Sequence, residues 1–297
     1  MNMDALKAAL YDGTVKKMIL DTDTYNEIDD QFALAYAMLS KEKVELLSIN
    51  AAPFLNSRST SPADGMEKSY NEIFRIMKLV DPDADIPVYR GSTAFLTDKE
   101  TPVESPACDN IINTVMNSDE PVYIVAIGAI TNVASAIIKC PEIINRAVLV
   151  WLGGHALHWQ NTAEFNLRQD VAAAQIVFDS KIPLVQIPCN GVCTEFLTTV
   201  PELKYYLGGK NELCDYLVDI VSGYTTKPYG WSKVVWDVTA VAALVYPKAL
   251  DMVTIPTPIL TSDCHYAKDD ARHPYIYVRR IRRDPLYADM FEKLANK

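Results

Sequence analysis

Short apolar runs alternate along this chain with longer segments of helical periodicity. Such alternation is typical of βαβ units, in which helices cover a sheet of parallel strands. The run Pro121–Ile127 is apolar at nearly every position, as expected of a strand whose two faces are both covered. The sequence therefore predicts an α/β fold, with a mainly parallel central sheet and helices on both faces, in a single domain over residues 1–297. The predicted strands are Lys17–Leu20, Val44–Asn50, Pro121–Ile127, Ala147–Leu152 and Ile182–Ile187, and the predicted helices are Ile28–Ser40, Asp64–Val80, Thr131–Lys139, Asp170–Ser180 and Val235–Val245.

The charge balance limits the kinds of partner that the protein can bind. The chain has 38 acidic and 28 basic residues and a net charge of −10, so its surface repels phosphate backbones and we expect no nucleic acid polymer as a partner. A small neutral substrate is compatible with this charge. No apolar run approaches the roughly 18 residues of a membrane span, and Met1–Lys17 lacks the pattern of a signal peptide. We therefore expect a cytoplasmic protein with no membrane partner, and six cysteines that remain reduced thiols.

Five carboxylates lie within the ten residues Asp21–Asp30, directly after a predicted strand and at the start of a predicted helix. A helix N-terminus stabilises one or two nearby carboxylates through its free N–H groups and its dipole. A helix N-terminus does not account for five carboxylates, because their mutual repulsion in a cleft requires a compensating cation. A hard cation such as Ca²⁺ prefers oxygen ligands of this kind, although the spacing is not that of an EF-hand. The sequence thus favours a metal site, with a solvated acidic turn as the alternative.

An Asp-x-Asp pair after a strand also resembles the nucleophile motif of haloacid-dehalogenase-type phosphohydrolases. In that motif a Thr or Val commonly stands two residues after the second Asp, where this chain has Tyr25. A metal-dependent phosphohydrolase is therefore a second hypothesis. The sequence contains no nucleophile elbow, no phosphate-binding P-loop and no dinucleotide-binding glycine motif.

Four segments resemble, in the same order, signature segments of the nucleoside hydrolase family. The first, ILDTDTYNEIDDQFAL at Ile19–Leu34, resembles the family's D-x-D-P-G-x-D-D signature with two additional residues before the Asp-Asp pair. The others are IVAIGAITNVA at Ile124–Ala134, AEFN at Ala163–Asn166, and a D-x-x-A-V-A-A-L segment that begins at Asp237. The resemblance extends over roughly Met18–Pro247 and implies a nucleoside hydrolase-like, Rossmann-like open sheet.

This resemblance implies a calcium-dependent enzyme that hydrolyses the N-glycosidic bond of a ribonucleoside and releases free base and ribose. Asp23 corresponds to the general base, which is also a metal ligand. Asp30 and Asp237 correspond to further carboxylate ligands of Ca²⁺, and Ile127 contributes its main-chain carbonyl. The partner implied is a small-molecule nucleoside, and the family forms homodimers or homotetramers. A non-catalytic nucleoside- or ribose-binding protein on the same fold is a third hypothesis.

The resemblance also implies which residues bind the substrate. Three polar side chains correspond to ligands of the sugar hydroxyls: Asp29, Glu164 and Asn166. Many family members have a His before the late Asp, where it acts as an acid for the leaving base, but this chain has Trp236. A Trp at this position resembles the purine-specific branch and implies a purine preference, although a core position at a helix start is the alternative. His155 and His158 follow a predicted strand end and are candidates to contact the base; the family's ribose-binding Asn falls by spacing on His158, with Asn161 nearby.

Overall fold

The computed structural model describes residues 2–297, which include twelve strands and eleven α-helices. The strands are β1 (Lys16–Thr22), β2 (Val44–Ala51), β3 (Val88–Arg90), β4 (Val122–Ala126), β5 (Ala147–Leu152), β6 (Leu184–Ile187), β7 (Leu197–Thr198), β8 (Lys233–Val234), β9 (Leu250–Pro256), β10 (Ile259–Leu260), β11 (Tyr266–Ala267) and β12 (Pro274–Ile281). The helices are α1 (Met3–Tyr11), α2 (Asp30–Met38), α3 (Pro62–Val80), α4 (Pro106–Met116), α5 (Thr131–Lys139), α6 (Phe165–Gln169), α7 (Val171–Asp179), α8 (Val200–Tyr206), α9 (Glu212–Ser222), α10 (Val238–Val245) and α11 (Arg283–Ala295). None of these helices has the length and apolar character that crossing a membrane requires.

Eight strands form one central sheet in the order β3-β2-β1-β4-β5-β6-β12-β9. Every neighbouring pair from β3 to β12 is parallel, and the edge strand β9 runs antiparallel to β12. The predicted mainly parallel sheet is therefore confirmed. The antiparallel edge is an addition that the sequence patterns did not indicate.

Both faces of the sheet are covered by helices, as predicted. Side chains of β1 alternate between the two faces, so Leu20 belongs to one hydrophobic cluster and Ile19 to the other. The cluster around Leu20 includes residues of α2, α3 and α10, and the cluster around Ile19 includes residues of α4, α5 and α7. All five residues of β4 are buried, which explains the continuous apolar run at this strand.

Each of the ten predicted elements has a counterpart in the structure, and the largest shift is at the start of α10. The sequence predicts this helix from Val235, whereas it begins at Val238. Lys233–Val234 instead pair antiparallel with Leu197–Thr198 in a small separate sheet. Asp237 therefore occupies the N-cap position of α10, without a side-chain capping hydrogen bond.

Candidate active site

Three carboxylates from the starts of two helices meet at the carboxyl edge of the sheet. Asp29 precedes α2, Asp30 is the first residue of α2, and Asp237 precedes α10. Each offers an oxygen atom within 4.8 Å of the other two, and all three residues are buried. The contact between α2 and α10 brings these distant parts of the sequence together. Three buried negative charges at this separation repel one another strongly, and a divalent cation with oxygen ligands would relieve that repulsion.

Asp23 lies beside this group, in the loop that follows β1. Its side chain is fully buried, and neither carboxylate oxygen has a hydrogen-bond partner among the described residues. Burial, followed by repulsion from Asp30 and Asp29, raises the pKa of Asp23 well above its usual value. A Cβ atom on Gly128 would lie 3.0 Å from the Asp23 Cγ atom, so the glycine leaves room for the carboxylate. A buried carboxylate with two unpaired oxygens is suited to a ligand.

The pKa values of the neighbouring carboxylates are also raised. Burial raises the pKa of Asp29 to about 6, although the Lys233 ammonium opposes the shift. Burial and then repulsion from Asp29 raise the pKa of Asp30 to about 7. Burial also raises the pKa of Asp237, with repulsion from Asp29 as the next cause. These shifts reflect the burial and mutual repulsion of the carboxylates. Lys233 supplies one positive charge, 3.5 Å from Asp29 Oδ1.

Asp21, the first carboxylate of the acidic segment, lies outside the group that meets at the edge. Its Oδ2 atom accepts a 2.9 Å hydrogen bond from the Asn132 side chain, and burial raises its pKa to about 7. Asn132 in turn accepts hydrogen bonds from Ser92. Asp21 therefore ties the end of β1 to the start of α5.

Glu164 and Asn166 form a second wall of the site, at the start of α6. Glu164 accepts hydrogen bonds from the main-chain N–H groups of Gly154, Asn166 and Leu167 at 2.9 to 3.1 Å. The Asn166 side chain donates to the main-chain carbonyls of Ile127, at 3.2 Å, and Leu152. The Ile127 carbonyl thus lies at the site, where it accepts a hydrogen bond from Asn166. The family resemblance assigns Asn166 to a sugar hydroxyl.

These residues enclose a cavity of about 320 Å³ at the carboxyl edge of the sheet, which is within the range of small-molecule sites. Carboxylates line it together with amide, aromatic and cationic side chains. The described residues that line it are Asn26, Glu27, Asp29, Asn56, Ser57, Arg58, Ile127, Leu152, His155, Glu164, Phe165, Asn166, Cys189, Asn190, Tyr224, Trp236 and Asp237.

The structure brings most of the sequence-predicted site residues to this cavity, but it does not bring His158 there. His158 is exposed on the loop after β5 and lies outside the cavity lining. His155 lines the wall instead, and burial lowers the pKa of its imidazole. Trp236 lines the cavity with a half-buried side chain. Asp23 and Asp30 are buried and do not line the cavity.

Several lining residues were not found from the sequence. Cys189 and Asn190 follow β6, so the rule that sites lie at the carboxyl ends of strands could have identified them. Arg58 and Tyr224 belong to two long loops, Ala51–Pro62 and Gly223–Ser232, in which polar and aromatic residues cluster. Loop composition indicates that such a segment is functional, but it does not indicate which side chain faces the site.

Comparisons with known proteins agree with this architecture. A sequence model described as inosine-uridine preferring nucleoside hydrolase matches residues 18–271. The chain is similar to the non-specific ribonucleoside hydrolase RihC of Klebsiella pneumoniae strain 342, with 30% identity over 206 residues that cover 63% of this chain and 67% of the relative. It is also similar to RihC of Salmonella paratyphi A, with 29% identity over 245 residues covering 78% of this chain and 79% of the relative.

Solved structures show the same fold. The plant nucleoside hydrolase PpNRh1 superposes with a TM-score of 0.78 at 20% identity, covering 95% of this chain and 99% of the other. A purine-preferring ribonucleoside hydrolase from Gardnerella vaginalis superposes with a TM-score of 0.77 at 23% identity, covering 95% and 98% of the two chains.

Fold, site and comparisons together define a hydrolase that acts on N-glycosyl compounds. The chain belongs to the inosine-uridine preferring nucleoside hydrolase family. The family resemblance that the four sequence segments indicate is confirmed, and the family match does not favour the phosphohydrolase alternative.

Proposed function

We propose that this protein is a calcium-dependent ribonucleoside hydrolase with a preference for purines. The observation that carries the proposal is the meeting of Asp29, Asp30 and Asp237, with the unpaired oxygens of Asp23 beside them, beneath a cavity of about 320 Å³. A cavity of this size suits a nucleoside rather than a polymer. The charge of −10 also favours a substrate without a phosphate backbone.

The donor set fits Ca²⁺, which prefers carboxylate and carbonyl oxygens. Asp23, Asp30, Asp237 and the Ile127 carbonyl would hold the ion, as the family resemblance implies. Asp29 is close enough to Asp30 and Asp237 to join them, although the resemblance assigns it to a ribose hydroxyl. When bound, such an ion would orient the sugar and lower the pKa of a coordinated water.

Side chains of this protein carry out the other steps of the hydrolysis. Asp23 accepts the proton of the attacking water, because its two oxygens are free of other hydrogen bonds. As the water oxygen bonds to C1′, the C1′–N bond breaks and its electron pair leaves with the base. The sugar passes through an oxocarbenium-like state, whose positive charge the buried carboxylates stabilise. Glu164 and Asn166 hold the sugar hydroxyls during this step.

The purine preference rests on the aromatic side chains of the cavity. Trp236 and Tyr224 both line it, and flat aromatic faces stack on a purine more extensively than on a pyrimidine. No histidine stands before Asp237 to protonate the leaving base. His155 lines another part of the wall, and His158, the other candidate, is exposed outside it.

A panel of nucleosides tests the proposal. Inosine, guanosine, adenosine, uridine and cytidine are incubated with the enzyme in calcium and in excess chelator, and free base and ribose are quantified. We expect release of both products in calcium only, fastest from the purines. Release of inorganic phosphate from phosphomonoesters instead would point to a phosphohydrolase, and tight ribose binding without turnover would point to a binding protein. Sedimentation of the purified protein tests the predicted homodimer or homotetramer.

A further inference from the structure

The cavity contains one permanently charged cation that the proposed hydrolysis does not use. Among the described residues that line it, only Arg58 carries a guanidinium or ammonium group. His155 also lines the wall, but burial lowers the pKa of its imidazole and favours the neutral form. The cavity is therefore lined by carboxylates, which are proposed to bind a metal ion and a sugar, and also by the guanidinium-bearing residue Arg58.

The side chain of Arg58 contacts neutral groups only, while its main-chain carbonyl accepts a 2.9 Å hydrogen bond from the Lys68 ammonium. Its Nη1 atom donates a 2.7 Å hydrogen bond to the Glu27 main-chain carbonyl, and its guanidinium lies over the Tyr25 ring at 4.4 Å from the centroid. Its main-chain N–H donates to Asn56 Oδ1 at 2.8 Å. These contacts fix the direction of the side chain but use one of the five N–H donors of a guanidinium.

Arg58 has no carboxylate partner within residues 2–297, although the protein is strongly acidic. Six other arginines in the described chain form ion pairs: Arg75, Arg90, Arg272, Arg279, Arg280 and Arg283. The nearest candidate, Glu27, is already compensated, because Lys233 bonds its Oε2 atom and the Tyr224 hydroxyl donates to its Oε1 atom at 3.0 Å. A half-buried guanidinium with free donors in a cavity is suited to an anionic ligand.

A second cavity lies on another side of Arg58. Arg58 and Tyr224 also line a neighbouring cavity of about 420 Å³. Gln31 lines this second cavity, is 2% exposed, and has a side-chain oxygen without a hydrogen-bond partner in the part of the chain that the structure describes. Arg58 therefore stands between two cavities, and the second contains an unused polar contact beside the Glu72 carboxylate.

We propose that Arg58 binds an anionic group of the substrate, so that this enzyme acts on a ribonucleoside bearing a carboxylate on its base or a phosphate on its 5′-oxygen. The inference rests on the proposed ribonucleoside hydrolysis and names its substrate class. The reaction itself is unchanged: water adds at C1′, the C1′–N bond breaks, and the anionic group stays on the product that carried it.

Two matched substrate pairs distinguish the two sources of charge. Nicotinic acid riboside and nicotinamide riboside differ in the charge of the base substituent, and inosine 5′-monophosphate and inosine differ in the 5′-phosphate. The ratio of kcat/KM for the anionic and the neutral member is measured for wild type, Arg58→Gln and Arg58→Lys. The matched control is Arg168→Gln, because Arg168 also stacks on an aromatic ring but is exposed and lies outside the lining.

In at least one pair we expect Arg58→Gln to lower this ratio by about tenfold, the loss of one charge-assisted hydrogen bond. We expect the Arg58→Lys ratio to lie between those of wild type and Arg58→Gln, and the Arg168→Gln ratio to equal that of wild type. An unchanged ratio in both pairs for Arg58→Gln overturns the inference. If the enzyme hydrolyses neither these four compounds nor any nucleoside of the panel above, the proposed function fails. The ratio of calorimetric affinities for the anionic and the neutral member of each pair, measured for the same variants, then tests Arg58 independently.

Discussion

The main-chain N–H of Trp236 donates a 2.8 Å hydrogen bond to Oδ2 of Asp29, a residue 207 positions earlier in the sequence. The other oxygen of the same carboxylate, Oδ1, lies 3.5 Å from the Lys233 ammonium. One short segment before α10 therefore orients a carboxylate at the start of α2. Because Asp29 adjoins Asp30 and Asp237, this segment also fixes the geometry of the candidate metal site.

Replacing Lys233 by Met should destabilise the protein. The Lys233 side chain is 7% exposed and contacts the carboxylates of both Glu27 and Asp29. Its removal leaves these groups without their cation, and breaking a buried ion pair in this way costs about 3 kcal/mol or more. We expect this loss in the free energy of unfolding, measured by urea denaturation with chelator present. Lys233→Arg, which keeps the charge, should lose far less, and equal losses in both variants would contradict the prediction.

The centre of the fold could be predicted from the sequence because its elements are locally encoded. The apolar run of β4 and the helical period of α3 each depend on residues close together in the chain. The pairing of β12 with β6 and β9 depends instead on which edge of the sheet is free once the other strands are in place. By contrast, α4 was missed although Ser105 and Pro106 form a readable helix start, in which Ser105 accepts from the Cys108 N–H.

The candidate site was predictable where a residue's position follows from an element boundary. Asp29 and Asp237 lie in the first turns of the predicted helices, and both immediately precede the observed helices, so the motif places them near a helix start. The choice between His155 and His158 depends on the path of the loop after β5, which spacing does not determine. The role of Lys233 was invisible for another reason: its partners, Glu27 and Asp29, lie more than 200 residues away, and no local pattern links them.

Substitution of Asp23 should lower the activity of the enzyme without lowering its stability. We expect Asp23→Ala and the isosteric Asp23→Asn to lower kcat for base release by at least about 100-fold, as for loss of a general base. In chelator, Asp23→Asn should be at least as resistant to urea as wild type, because it removes one charge from a repulsive, buried group. Turnover within tenfold of wild type in both variants would rule out the proposed role of Asp23.

Calcium should stabilise the folded protein through Asp30 and Asp237. Binding to the native state alone adds about 2.7 kcal/mol at a free concentration of 100 times Kd. At about 2–4 °C for each kcal/mol, this corresponds to an increase in Tm of roughly 5–10 °C. Differential scanning fluorimetry of the wild type should show this increase, and Asp30→Asn and Asp237→Asn should abolish it. Asp263→Asn is the control, because Asp263 is exposed and does not line the cavity. A wild-type Tm that is insensitive to calcium would contradict the proposed metal site.

Substitution of Trp236 should change the choice of base without disturbing Asp29. The hydrogen bond to Asp29 comes from the main chain of residue 236, so a side-chain substitution retains it. Trp236→His removes a stacking surface of the cavity and introduces an imidazole able to protonate a leaving base. We expect the ratio of kcat/KM for inosine over uridine to fall by about tenfold or more, since loss of one aromatic contact costs about 1 kcal/mol and an added acid favours the pyrimidine. Trp236→Phe should retain most of the wild-type ratio, because it keeps an aromatic face and adds no acid; a ratio that is the same in all three proteins would show that Trp236 does not select the base.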